Sequence, residues 1–310
     1  MRYILITGGA GNVGSSLAGL LVKDQNNFVV VVDDLSTGSI EKLPPKSVSS
    51  FKFIRADANR FDEIAPVMLH YSFEYVFHYA AVVGVQRTLH MPIAVLEDID
   101  GIKNVLSLSK STSVKRVFFS SSSEVYGEPF EIPQKENTTP LNSRLPYAIV
   151  KNLGEAYLRS YQQEYGLDYT IFRFFNTYGP NQSTDFVIAK FIMAALHNED
   201  IPIYGDGLQT RTFCYIDDNI EIARLAIEKD LLVNDTINVG SNLEITIANL
   251  AKRVIEVLGS SSKLIYLPPL KEGDMRRRCP DNSKMMSLLG RELTSLDKGI
   301  VLTAAAMKNK

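Results

Sequence analysis

Apolar runs recur along the chain at 3–6, 28–32, 51–55, 74–78, 114–120 and 169–174, and the stretches between them are long enough for helices. Such alternation predicts an α/β fold, a doubly wound parallel sheet covered on both faces. Helical patterning marks 15–22, 94–110, 147–165, 186–198, 218–229 and 246–259. From about residue 180 the regularity loosens into a Gly/Asp turn at 205–207 and a Pro/Gly-punctuated stretch from 268. The expected division is a first domain over 1–180 and a smaller C-terminal α/β lobe over 181–310.

With 310 residues, 45% hydrophobic and 22% charged, the composition is that of a soluble globule of one large domain, or one plus a smaller one. A net charge of −2 gives no reason to expect a nucleic-acid surface, and the basic run Arg276 to Arg278 is too short to track a polymer. It suits a diphosphate better. Cys214, Cys279 and four scattered histidines form no ligand-spaced cluster, so neither a disulfide framework nor a metal site is expected. Met1-Arg2 runs straight into a strand and no apolar stretch reaches bilayer length, so the expected setting is cytoplasmic, without a membrane partner.

Two stretches carry candidate chemistry. Residues 3–14 read as strand, tight turn and helix start, with Gly8, Gly11 and Gly14 spaced Gly-x-x-Gly-x-x-Gly. Glycines there let the backbone approach a pyrophosphate, whose charge sits at the positive end of the helix. The run Phe28 to Val32 ends in Asp33, about 20 residues past the last glycine, where an acid binds ribose hydroxyls and repels a 2′-phosphate. NAD is therefore favoured over NADP. In Tyr147-Ala148-Ile149-Val150-Lys151 a phenol and an ammonium share one helical face, and Pro146 suits the first turn. A cation one turn away lowers the phenol pKa, so Tyr147 becomes a base able to take a proton from an alcohol.

These residues, with Val32 to Gly38, His78-Tyr79-Ala80-Ala81, Ser120 to Gly127, Arg173 to Pro180, Tyr204 to Arg211 and Arg276 to Asp281, make the chain resemble an extended short-chain dehydrogenase/reductase of the nucleotide-sugar epimerase, dehydratase and decarboxylase group. The resemblance covers residues 1 to about 300. It implies a Rossmann-type NAD domain whose sheet is rejoined near 236–239, a nucleotide-sugar-binding lobe, and a homodimer through the helices near 94–110 and 147–165. For the cofactor it implies Gly8, Gly11, Asn12, Val13 and Gly14 at the pyrophosphate, and Asp33, Asp34, Ser36, Thr37 and Gly38 at the ribose. It also implies Asp57 and Ala58 near adenine, Tyr79, Ala80, Ala81 and Val83 along the ribose and diphosphate, and Ser120, Tyr147, Lys151 and Phe175 toward the nicotinamide. For the nucleotide sugar it implies Asn176, Val187, Ile188, Tyr204, Arg211 and Arg276, with Arg87 reaching the hexose. Guanidinium groups suit phosphate oxygens because they bind bidentately.

By the same resemblance, oxidation at sugar C4 begins at Tyr147, with Lys151 tuning it and Ser122, four residues before Tyr126-Gly127, sharing the proton. The following pair is Ser123-Glu124, where the 4,6-dehydratases carry Asp-Glu; the missing acid speaks against dehydration. Ser-Ser-Glu-Val-Tyr-Gly is similar to the uronate decarboxylases and to some 4-epimerases. The expected activity is 4-epimerisation of a nucleotide-diphosphate sugar, which needs little beyond Tyr147, Ser122 and Lys151. Decarboxylation of a nucleotide uronate and net 4-dehydrogenation are the alternatives. A cofactor-binding regulator without catalysis is a further one, against which the retained Ser122, Tyr147 and Lys151 speak. Two departures stand out: Asp98 and Asp100 where relatives place Asn, and Lys271-Glu272-Gly273-Asp274 where epimerases carry Arg before Gly-Asp.

Overall fold

The first strand, β1 (Arg2–Thr7), enters a turn at Gly8 and emerges as α1 (Asn12–Leu21), three residues earlier than the apolar pattern suggests because Gly11 already serves as N-cap. The computed structural model describes residues 1–269 and 277–308. Arg276 and the Lys271-Glu272-Gly273-Asp274 departure lie outside the described residues.

There follow β2 (Asn27–Asp33), β3 (Phe51–Arg55), α2 (Phe61–His70), β4 (Phe73–His78), α3 (Val85–His90), α4 (Pro92–Ser111) and β5 (Arg116–Ser122). A 3₁₀ turn over Ser123–Tyr126 and a long loop lead to α5 (Pro146–Tyr165) and β6 (Asp168–Phe174). Then come α6 (Val187–Leu196), α7 (Ile216–Glu228), β7 (Asp235–Val239), α8 (Ile247–Leu258), α9 (Ser283–Leu289) and α10 (Leu296–Lys308). The main sheet runs β7-β6-β5-β4-β1-β2-β3, parallel at each pairing. Strand order reverses beside β1, and the crevice past the carboxyl ends of β1 and β4 is where such sheets bind ligands.

Alternation along each strand splits the core. Ile4, Ile6, Val29, Val31, Phe77, Phe118 and Phe172 face α1, α6, α7 and α8 in one cluster, while Leu5, Val30, Val32, Val76, Val117, Phe119 and Ile171 face α2, α4 and α5 in the other. Burial on both faces is why these strands read as continuous apolar runs. The C-terminal part joins the first cluster through Phe191, Ile192, Leu250 and Ile300, so it shares a core with the sheet. Its strands are short: Ile201–Tyr204 pairs with Leu264–Leu267, and Thr210–Thr212 with Glu244–Thr246. The apolar pattern does not single out α9 or α10. In α10 the contact face is built on Gly299, where a Cβ would overlap the Tyr178 hydroxyl, with Ile300, Thr303 and Ala304 beside it.

Two glycines set the distance between helices and site. At Gly154 on α5 a Cβ would overlap the end of the buried Phe119 ring, so α5 lies close against β5 and brings Tyr147 and Lys151 over the serine run. At Gly101 on α4 a Cβ would overlap the Asn59 side chain, which draws α4 onto the loop after β3.

Candidate active site

The loop after β1 is shaped for a bulky, electron-rich group. Gly8 has φ +67°, and a Cβ there would stand 2.5 Å from the Ala80 nitrogen; one at Gly14 would stand 2.6 Å from the Gly8 oxygen. Only glycine fits either place, and the α1 N-terminus opens above them. Asp33 closes the next strand, nearly buried, with its carboxylate accepting from Ala10 N–H at 2.9 Å and Leu35 N–H at 2.9 Å. Each of its oxygens keeps a lone pair for a hydroxyl donor. Asp34 turns outward and accepts from the Ser36 amide and hydroxyl, while Gly38 abuts Asp33. Asp57 and Ala58 lie in the loop after β3 and Tyr79 to Val83 in the loop after β4, which places both groups at the same sheet end. Among the described residues, Asn12 Oδ1 and the Tyr79 hydroxyl are buried without a hydrogen-bond partner. Orphaned polar atoms beside a glycine cradle fit a dinucleotide.

β5 and α5 bring the candidate base into place. Ser122 caps the 3₁₀ turn, its Oγ accepting from Glu124 N–H at 3.2 Å, and it also bonds Tyr147. That bond lowers the Tyr147 pKa, so in it Ser122 gives its one proton to the phenolate oxygen. Lys151 is buried over the Phe119 ring, with Nζ 5.0 Å from that centroid and 5.7 Å from the Tyr147 centroid, and it donates to Ser120 Oγ at 3.4 Å. The sequence predicts a phenol acidified by Lys151; the structure shows a different balance. Burial pushes the Tyr147 phenol well above its ordinary value and the Glu124 charge adds to this, with Ser122 pulling the other way. Lys151 itself is pushed down to about 8 by burial, opposed by Asp98.

From the sequence, Arg278 is named only within the basic run that suits a diphosphate, with no role beside Tyr147. It lies almost wholly buried, with NH1 3.4 Å from Glu124 Oε1 and with a buried Nε that has no partner among the described residues. Its charge acts on Tyr147 in the direction opposite to that of Glu124. Beneath them a buried network forms the floor. Arg173 grips Glu155 bidentately at 2.9 and 2.7 Å, Ser121 donates to Glu155 at 2.6 Å, and Tyr126 accepts from Arg173 and donates to Asn238.

The substrate-side candidates divide. Tyr204 stands with Lys190 5.6 Å from its ring centroid, Val187 opens α6, and Arg87 spans from Val83 O to Asp185. Asn176 donates to Thr212 O at 2.9 Å, and Arg211 is buried and donates to Thr210 O at 2.7 Å. Two side chains are packed in the interior. Ile188 packs in the core with Phe191 and Ile192, and Phe175 is buried against Tyr126 and Gly240 because the chain bends at the end of β6. Phe174 is the ring that meets Tyr79, at 5.9 Å.

The model of the NAD dependent epimerase/dehydratase family matches residues 4–240. The chain belongs to that family. A UDP-N-acetyl-alpha-D-glucosaminuronate decarboxylase from Bacillus cytotoxicus is 36% identical over 303 residues, 93% of this chain and 91% of that one. Among solved structures, a UDP-glucose 4-epimerase with UDP-glucose from Thermotoga maritima aligns over 99% of both chains at 33% identity and a TM-score of 0.92. The Thermus thermophilus UDP-glucose 4-epimerase in complex with NAD also aligns over 99% of both chains, at 27% identity and a TM-score of 0.90. The protein is thus an NAD-dependent nucleotide-sugar enzyme, with relatives on both the epimerase and decarboxylase sides.

Proposed function

We propose that this family member oxidises C4 of a nucleotide-diphosphate uronate and releases its C6 carboxylate as carbon dioxide. The observation that carries this reading is Arg278: a buried guanidinium beside Tyr147, paired at 3.4 Å with Glu124 and holding an unused buried Nε donor. A neutral hexose gives that charge little to do, whereas a carboxylate satisfies it bidentately.

In this reading Gly8 to Gly14, Asp33 to Gly38 and the loops at 57–58 and 79–83 hold NAD. NAD held there would supply the hydride acceptor for C4 and the donor for its return. To take the C4 hydroxyl proton through the hydrogen-bonded Ser122, Tyr147 must first lose its own against the burial that raises its pKa; the Lys151 ammonium and the positive charge that NAD would bring favour that phenolate. A C4 ketone makes the C6 carboxylate that of a β-keto acid. The C5–C6 bond then breaks, its electron pair passes through C5–C4 to the C4 oxygen, and Tyr147 gives that oxygen its proton. Arg278 orients the departing carboxylate. Glu124, paired with Arg278 beside Tyr147, is the side chain assigned to deliver the proton to C5. The net change is one uronate and one proton to one pentose unit and carbon dioxide.

The second reading is the 4-epimerase expected from sequence. It is favoured by the end-to-end likeness to a UDP-glucose 4-epimerase, and it needs only Tyr147, Ser122, Lys151 and room for the keto sugar to turn. Incubation of the NAD-loaded protein with uronate and neutral nucleotide sugars, followed by mass spectrometry, separates the two. Release of carbon dioxide from a uronate supports the first; interconversion of neutral C4 epimers without such release puts the second in its place. Hydride transfer that survives Tyr147→Phe overturns both.

We also propose a homodimer through α4 and α5. Ile93, Leu96, Ile149 and Leu153 stand exposed on these paired helices, and α5 carries a groove of about 270 Å³ lined by Leu153, Tyr157, Tyr161 and Tyr165. Covering such apolar surface favours association. Equilibrium sedimentation tests it: a dimer that Leu153→Glu dissociates is expected, and a monomeric native protein refutes it.

A further inference from the structure

Residues 277–281 run as a strap whose successive side chains leave it on opposite sides. Arg277 donates to Glu244 through Nε at 2.7 Å and through NH2 at 2.6 Å, and the Cys279 thiol points the same way, 3.6 Å from the Asn242 oxygen. Arg278, between them, reaches across to Glu124 instead. This is the two-residue alternation of a strand. The backbone pairs accordingly: Gln134 N–H donates to Cys279 O and Asp281 N–H donates to Gln134 O, both at 2.8 Å. The strap is thus fastened between the short strand Glu244–Thr246 on one side and the loop that follows the 3₁₀ turn on the other.

Glu244 stands where two lines of contact meet. Besides gripping Arg277 with both oxygens, it accepts from Thr210 Oγ1 at 2.9 Å, and the Thr210 carbonyl accepts from Arg211 NH1 at 2.7 Å. In the antiparallel pair Ile245 lies opposite Arg211 and Thr246 opposite Thr210. One carboxylate therefore touches the residue before Arg211 and the residue before Arg278. Stability alone gives it little reason to do so, because the Arg277 side chain is 53% exposed and an ion pair so open to water adds little to the folded state. What the pair does fix is geometry, since a forked guanidinium on a carboxylate allows one orientation.

We propose that Glu244 and Arg277 are positioning residues: their ion pair sets the spacing between Arg211 and Arg278, so that one substrate molecule places its diphosphate on the first and its C6 carboxylate on the second. The proposal rests on the uronate reading of Arg278 and on Arg211 meeting the diphosphate. Two contacts to one ligand reinforce each other only where their separation matches it, because the second then forms at high effective concentration. A strap loosened at Arg277 keeps both guanidinium groups and loses the match.

The test compares the NAD-loaded native protein with Arg277→Met, Arg277→Lys and Glu244→Gln. Calorimetry gives their affinities for UDP, UDP-glucose and UDP-glucuronate, and the rate at which Cys279 reacts with an aromatic disulfide, without ligand, reports the strap. Cys214, the other cysteine, is buried in the core, and Cys279→Ser shows which thiol is read. Arg277→Met should bind UDP within about twofold of native and lose about tenfold of the preference for UDP-glucuronate over UDP-glucose. Its Cys279 should react severalfold faster, with the urea midpoint nearly unchanged. Glu244→Gln should follow it, and Arg277→Lys, which keeps the charge without the fork, should recover part of both effects. Equal weakening of all three ligands together with a lowered urea midpoint makes the pair merely structural and overturns the proposal, as does native Cys279 reactivity in both Arg277→Met and Glu244→Gln. A native protein without preference for UDP-glucuronate overturns the uronate reading and the carboxylate half of the proposal with it, while the thiol rate still decides whether the pair holds the strap.

Discussion

Arg278 reaches Glu124 at 3.4 Å across 154 residues of chain, and the pair stands beside Tyr147 with opposite effects on its proton. The relationship divides substrates by charge. With a uronate, Arg278→Met should lower carbon dioxide release by about 100-fold or more, the scale expected when one member of a desolvated charge pair loses its partner. Oxidation of a neutral nucleotide sugar by the same variant, followed as reduced cofactor, should change far less. Equal loss with both substrates would remove Arg278 from carboxylate recognition.

Glu155 and Arg173 form the floor under that pair. Both are buried, and Ser121 and Tyr126 complete their hydrogen bonds. Removing one charge strands the other, so Glu155→Gln should destabilise the protein by about 3–5 kcal/mol, read as a lower denaturation midpoint in urea. Arg159 also touches Glu155 but is largely exposed, and Arg159→Ala should cost under about 1 kcal/mol.

Gly154 tests how finely α5 is seated. Alanine there would push against Phe119, which is held in the core between β5 and α5. Overpacking of this kind costs about 1–3 kcal/mol. Because Gly154 lies less than one turn after Lys151, the displacement should also reach the catalytic face. Gly154→Ala is expected to lower kcat more than it raises KM, with steady-state kinetics as the measurement.

Local signals were readable in the sequence and distant ones were not. The strand, glycine turn and helix from Arg2 to Leu21 announce themselves because an apolar run ends at residues that only a tight turn requires. Tyr147 and Lys151 are visible because their spacing is helical and the helix exists. Arg278 was hidden, since its partner is supplied by a fold that brings residue 124 to residue 278. The burial of the Phe175 ring is not legible locally either: β6 ends at Phe174, and the Phe175 ring packs with Val125 and Tyr126. The pairing of Glu155 with Arg173 needs the packing of α5 on β6, which no local pattern encodes. Charge balance was the least legible part, because the pKa of Tyr147 is governed by burial more than by the lysine four residues away.

Lys151 should show an opposition between function and stability in its dependence on pH. The unfolded side chain titrates at 10.5 and the folded one at about 8, so between these values the unfolded chain binds more protons. Folding with a charged Lys151 is therefore penalised in full below about pH 8, and the penalty is relieved as pH rises toward 10.5. Lys151→Met removes it. At neutral pH the variant, free of cofactor, should be more stable than the native protein by on the order of 1–3 kcal/mol, and the gain should shrink through the alkaline window. Hydride transfer should be lost at every pH, since the ammonium one helical turn from Tyr147 is gone. Urea unfolding at neutral and alkaline pH measures the difference, and a stability gain that grows with pH would show that burial does not depress the Lys151 pKa.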